Sequence, residues 1–448
     1  MAAVFATAGL LLAHGVSSAA VHTSKHNHGY CKELDIPVFA TSESAIYDIP
    51  RVDSNIDAIA WAIYSDTWST PAGAARIIKN TTTSETFKIH AQLCVPKVSG
   101  GKNDILHIAT HGVHYDSRYW DPTLDREKQS YVEATLRAGY PILTYDRLGV
   151  GKSDKPDAYD VVQAPLELEI LRQLTLMARN GTLYDFAGKA IPPNAAFNMA
   201  AKPVNKVVHV GHSFGSFLTS AFIAKHSSLS DGAIITGYLL NKYLGKAGMA
   251  SFNAQFAPAS STPFDRPSGY VVCQKSGIQT IFFAGDPKSA FTKEMLDYGD
   301  AIKQPVPIGE FASAYHIIGL PGPNFKGPIQ YMLPEFDFYI CGGDCKGLAD
   351  MKELRKTYPQ ASEIEVAIQP NTGHAFTLHN NATAGYQISY DFLARNGLKS
   401  EYLRKIREYN KVGIELTGMG GTEQPSAPEF QPPNLILPTF LESKLTNT

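Results

Sequence analysis

Residues 206–222, KVVHVGHSFGSFLTSAF, run an apolar strand-like segment into Gly211-His212-Ser213-Phe214-Gly215 and then into a helix-like segment. A serine held between two glycines at such a junction suits a nucleophile. Glycines on both sides allow a turn sharp enough to strain the serine backbone and point its hydroxyl out of the sheet. The helix start beneath it adds positive potential and free N–H groups. The plain alternative is a tight turn. The choice between them depends on whether a base, an acid and oxyanion donors also occur.

A serine hydroxyl attacks poorly until a base takes its proton. On a strand–turn–helix frame the acid and then the histidine follow the serine along the chain. His374, in QPNTGHAF, is the expected base, because it sits in a loop just after the last predicted strand. His379, five residues later, is assigned to the structure that follows. The expected acid is Asp337, which ends the run YMLPEFD. Asp344, between Cys341 and Cys345, and Asp286, at the end of TIFFAGD, are the alternatives in that order. The acid fixes the imidazole tautomer and stabilises the imidazolium without taking the proton itself. The oxyanion needs two donors. These are the backbone N–H of Phe214 and one from the loop after His111-Gly112, with Val113 chosen and His114 next. His111, His114 and Tyr115 also read as metal ligands, but no HExxH frame accompanies them, so neither metal nor cofactor is expected.

These groups need a frame to bring them together. Residues 86–96 alternate like a strand, and 104–112, 141–147, 206–212, 232–240, 328–337 and 363–370 read as further strands. YVEATLRAGYP, PLELEILRQLTLMARNG, GSFLTSAFIAKH, GLADMKELRKTYP and GYQISYDFLARNG read as helices between them. Continuously apolar strands alternating with helices predict a mostly parallel sheet covered on both faces. Residues 31–50 read as a loosely structured lead-in. From 245 to 326 the rhythm breaks into Pro, Gly, Phe and Ser with one helix, SAFTKEMLDYGDAIK, and this segment is expected to form a lid. The expected organisation is a leader over 1–20, core over 21–244 and 327–417, the lid over 245–326, and a Pro- and Gly-rich tail over 418–448.

The motifs HGVHYDSRYW, YDRLGVGKSD (145–154), GHSFG and GHAF together resemble the α/β-hydrolase superfamily over roughly residues 85–410. EFDFYICGGDC resembles the acid-bearing segment of secreted fungal members. Pro334 departs from the resemblance, standing where the acid turn often has glycine. The resemblance implies an α/β-hydrolase fold, a serine hydrolase, and a turn-shaping rather than catalytic role for Asp146, Arg147 and Asp154.

The chain has 448 residues, a net charge of -2 and 44% hydrophobic residues. That balance gives no reason to expect a nucleic-acid partner or a polybasic membrane patch. The apolar, uncharged first twenty residues read as a cleaved secretory signal rather than a membrane anchor. Sequons at Asn80, Asn180 and Asn381 agree with export. Of five cysteines, two pairs are expected in an oxidising compartment, Cys31 with Cys94 and Cys341 with Cys345, leaving Cys273 over. The leading expectation is a secreted serine hydrolase acting on an ester, lactone or thioester of an apolar small molecule. The alternatives are a lyase, isomerase or acyltransferase using the same three residues, a peptidase of the same fold, or a binding protein on a hydrolase scaffold.

Overall fold

The computed structural model describes residues 26–97, 105–187 and 203–399. The leader at 1–20 and the tail at 418–448 lie outside the described residues. Strands β1 (Gly29–Tyr47), β2 (Ile77–Pro96), β3 (Ile105–Thr110), β4 (Ile142–Tyr145), β5 (Lys206–His212) and β6 (Gly232–Thr236) come first. They are followed by β7 (Ala254–Phe256), β8 (Tyr270–Cys273), β9 (Val306–Pro307), β10 (Ile329–Pro334) and β11 (Ile364–Gln369). The main sheet runs β1-β2-β4-β3-β5-β6-β10-β11, and β7-β8-β9 form a separate small sheet. From β4 to β11 every neighbouring pair is parallel, while β1–β2 and β2–β4 are antiparallel.

The central strands are apolar throughout because helices cover both faces of the sheet: β3, β4 and β10 are buried at every residue. The helix Phe214–Lys225 is buried from Phe214 to Ile223, as expected for a helix that is apolar on all sides. The amphipathic helix Ala164–Asn180 keeps one face wet and stops at Gly181, whose φ of 88° closes the left-handed cap.

The lead-in is a correction to the sequence reading. Residues 29–47 form a strand paired with β2 from Gly29↔Pro96 to Tyr47↔Ile77. Leu34, Ile36, Val38 and Ala40 are buried, while Asp35, Pro37 and Phe39 between them are not. That alternation is the signature of a strand with one wet face, and its exposed polar residues masked it. Cys31 and Cys94 stand opposite each other in this pair and are bridged, as are Cys341 and Cys345. Cys273 is free and buried in β8. Asn80 and Asn180 are exposed, and the Asn381 amide donates to the Pro370 carbonyl at 2.8 Å.

Between β6 and β10 the chain builds β7–β9 and the helices Lys275–Phe282, Lys293–Ala301 and Ile308–Ser313. TIFFAGD is therefore not a strand leading to Asp286. Thr280 to Phe282 close a helix, and Asp286 lies in an exposed turn. Among the described residues no helix is long and apolar enough to cross a membrane.

Candidate active site

Ser213 leaves β5 with φ 53° and ψ -118°, a conformation that costs an L-residue roughly 1–3 kcal/mol. Surrounding bonds hold it there. Its N–H donates to the Thr236 carbonyl at 3.0 Å, and its carbonyl accepts from Ser216 and Phe217 at 2.8 and 3.1 Å. Neither flanking glycine tolerates a side chain. A Cβ on Gly215 would lie 2.1 Å from the Thr110 carbonyl oxygen, and one on Gly211 2.5 Å from the Gly215 oxygen. The glycines thus let the helix start run against the end of β3, and the turn carries the serine beyond the strand.

His374 stands in the loop after β11. Its Nδ1 lies 2.5 Å from Asp337 Oδ2, and both side chains are buried. A carboxylate only accepts, so Nδ1 carries the proton and Nε2 keeps a free lone pair. Asp337 is not the last residue of a strand, as the sequence reading has it. β10 ends at Pro334, and Asp337 caps the short helix Phe338–Cys341, its Oδ1 accepting from the Ile340 N–H at 2.9 Å. The Asp337 carbonyl accepts from Cys341 and Gly343, and the Cys341–Cys345 bridge closes the loop behind it. Asp344 and Asp286 are both exposed. Asp344 accepts from the Lys346 N–H, while Asp286 accepts from the Lys288 N–H and the Ser289 hydroxyl. Neither reaches His374.

Val113, Ser213, Phe214 and His374 line one cavity of about 580 Å³. Among the described residues, neither the Val113 N–H nor the Phe214 N–H donates to a protein acceptor. His111 secures this loop through both ring nitrogens. Its Nδ1 donates to the Gly112 carbonyl at 2.8 Å and its Nε2 accepts from the Arg147 N–H at 3.0 Å. Burial, and then the Arg147 charge, hold His111 well below the ordinary histidine range, so it stays neutral. His114 packs its ring 5.2 Å from Phe252, and Tyr115 packs against Tyr119. His379 Nδ1 donates to the Ala375 carbonyl, and burial pushes its pKa down to about 4.

The Arg147 guanidinium lies 4.7 Å from the centre of the Phe214 ring. It is buried between Glu167, bound at 2.6 and 2.8 Å, and Glu310 at 3.1 Å on the helix Ile308–Ser313. Burial raises both carboxyls against the pull of the one cation. Asp146 accepts from the Ser117 and Lys152 N–H groups, and Asp154 accepts from the Lys88 N–H. All three residues therefore fasten loops around the site.

The sequence reading gave no role to His212. Its ring stacks on Tyr119 at 4.4 Å and lies 4.7 Å from the His374 ring. The Thr236 hydroxyl donates to the Gly211 carbonyl, so it accepts from His212 Nδ1 at 3.1 Å. Burial, and then the neighbouring His374, hold His212 well below its ordinary range. A neutral imidazole therefore walls His374. Its position beside the serine in GHSFG was the available signal. The sequence reading also missed the helix Asn55–Asp66, whose Trp61 and Ser65 line the same cavity as the residues of the segment 245–326. Nothing in that helix's composition marks it as part of a site.

A family model described as the alpha/beta hydrolase family matches residues 106–385. No curated protein matches the chain. Among solved structures, a methylesterase from Arabidopsis aligns at 16% identity, covering 64% of this chain and 97% of its own, with a TM-score of 0.39. A bromoperoxidase from Bacillus anthracis aligns at 17% identity over 69% of this chain and 96% of its own, with a TM-score of 0.42. A thermophilic esterase from Thermogutta terrifontis aligns at 14% identity over 72% and 95%, with a TM-score of 0.39.

Proposed function

Since this chain belongs to the alpha/beta hydrolase family, we propose that it is a serine esterase that cleaves a carboxylic ester of a largely apolar small molecule through Ser213, His374 and Asp337. The observation that supports this reading is the Asp337–His374 bond of 2.5 Å in a histidine that shares a cavity with a strained, positive-φ serine. His374 Nε2 takes the Ser213 proton as Oγ forms a bond to the ester carbonyl carbon. The Phe214 and Val113 N–H groups receive the negative oxygen, each such donor contributing about 3–4 kcal/mol. The proton then passes to the leaving alcohol, and water, activated by the same nitrogen, releases the acid. Asp337 stabilises the imidazolium formed in both halves.

The reading includes export, with glycans at Asn80 and Asn180. Two disulfides and two exposed sequons support it. The test of the chemistry is turnover of 4-nitrophenyl esters of graded chain length together with fluorophosphonate labelling. Ser213→Ala is expected to lose both, the rate falling about 10⁴–10⁶-fold. Covalent labelling of folded Ser213→Ala would refute the assignment.

A further inference from the structure

The cavity that holds Ser213 and His374 is apolar over most of its wall, with Trp61, Phe217, Met249, Phe252, Phe282 and Phe311 among its lining. Arg76 also lines it, from the turn Gly73–Arg76. Among the described residues this arginine forms no salt bridge, and its Nε is shielded from solvent without a hydrogen-bond acceptor. No Asp or Glu is among the described residues that line the cavity. The acids nearby are committed or turned away. The Asp66 carboxylate accepts from the Met249 and Ala250 N–H groups at 2.5 and 2.8 Å. Asp48 donates its main-chain N–H to the Arg76 carbonyl and is itself exposed, with no salt bridge to Arg76 among the described residues.

Arg76 as a whole is only half-buried and lines the cavity, so the outer part of its guanidinium is open to a bound anion. The turn carrying Arg76 is fixed by close packing. A Cβ on Gly73 would fall 2.1 Å from the Tyr315 ring, and Tyr315 lines the cavity with its hydroxyl 3.3 Å from that of Tyr47. A guanidinium is a fork matched to a carboxylate.

We propose that Arg76 anchors a carboxylate borne by the substrate, so that the cavity selects an acidic ester with an apolar body, such as a half-ester of a dicarboxylic acid. The proposal rests on the esterase reading of the same cavity. The apolar wall takes the chain between the two ends, and Arg76 rejects nothing neutral outright but favours the anion.

The test compares 4-nitrophenyl half-esters of adipic, suberic and sebacic acids with their neutral methyl esters. Wild type, Arg76→Gln and Arg76→Lys are each assayed for kcat/KM on every pair. Wild type is expected to prefer the acidic partner at one chain length. In Arg76→Gln the acidic-to-neutral ratio should fall about 10- to 100-fold, with part restored in Arg76→Lys. A ratio that moves less than twofold in Arg76→Gln would overturn the proposal and leave the esterase reading standing. Calorimetric binding of monomethyl suberate to Ser213→Ala, with and without Arg76→Gln, separates the two readings. Arg76-dependent binding without turnover of any ester by the wild type sinks the esterase reading alone, whereas binding that is absent, or equal with and without Arg76→Gln, overturns the anchor.

Discussion

Asp337→Asn separates the orienting role of the acid from its structural role, because the two oxygens of this carboxylate do different work. Oδ2 accepts from His374 Nδ1 at 2.5 Å, and Oδ1 accepts from the Ile340 N–H at 2.9 Å. Asparagine has one oxygen for these two donors. If the oxygen stays on Ile340, the amide NH₂ faces His374, and the imidazole must present a lone pair at Nδ1 and carry its proton on Nε2. The base is then lost, which in the worked protease case removes about 10⁴ in kcat, or about 5.4 kcal/mol of barrier. If the oxygen turns to His374, the tautomer survives, but the NH₂ meets the Ile340 N–H at a buried helix start. Losing the cap costs about 1 kcal/mol, and the buried clash of donors about 1–3 kcal/mol more. The first arrangement keeps the fold, so it is the one expected. Activity should fall about 10³–10⁴-fold while the melting temperature moves by only a few degrees. The assay is steady-state hydrolysis of a 4-nitrophenyl ester by folded Asp337→Asn, Asp344→Asn and Asp286→Asn. The two exposed aspartates should stay within about tenfold of wild type, since their bonds are to their own turns. If Asp337→Asn stays within tenfold, or Asp344→Asn is equally crippled, the reasoning fails.

Gly112→Ala should disturb the oxyanion loop. Its Cβ would fall 2.8 Å from Ser213 Cβ and 3.1 Å from the His212 carbonyl oxygen, so either the elbow or the Val113 N–H must move. The expected loss in kcat is about 10²-fold, measured on the same ester, and a variant within threefold of wild type would contradict it. His209 should contribute to acid sensitivity. Burial holds it at about 3, against an ordinary value of 6.5, with the Thr175 and Ser230 hydroxyls 3.0 and 2.9 Å from its two nitrogens. The unfolded chain takes this proton below pH 6.5 and the folded one does not. Stability from this group is therefore full above pH 6.5 and lost as pH falls toward 3. Glu167 and Glu310, raised by burial, act in the opposite direction, so the decisive comparison is between variants. His209→Gln should show a shallower fall in melting temperature between pH 7 and pH 4 than wild type, and an equally steep fall would refute the argument.

The strained serine turn was legible in the sequence because its constraints are local. A strand, two glycines and a helix are contiguous, and the steric demand on Gly211 and Gly215 comes from the same few residues that flank Ser213. The central strands were legible for a similar reason: burial on both faces forces an unbroken apolar run. His374 was found because it follows the last strand by five residues. Strand β1 was missed because one face is wet, and its Ser, Thr and Glu residues hid the alternation. The choice of Asp337 over Asp344 and Asp286 stayed open in the sequence, since all three sit near plausible strand ends. Tertiary structure separates the three, burying Asp337 and bonding it to His374 across 37 residues while the other two stay exposed. The cavity wall belongs wholly to the fold. Trp61 and Arg76 lie far ahead of Ser213 in the chain, and only the packing of their segments against the 245–326 insertion brings them to the same cavity. Local spacing can specify a strained turn, but which distant side chains share a cavity depends on contacts that no short stretch of sequence contains.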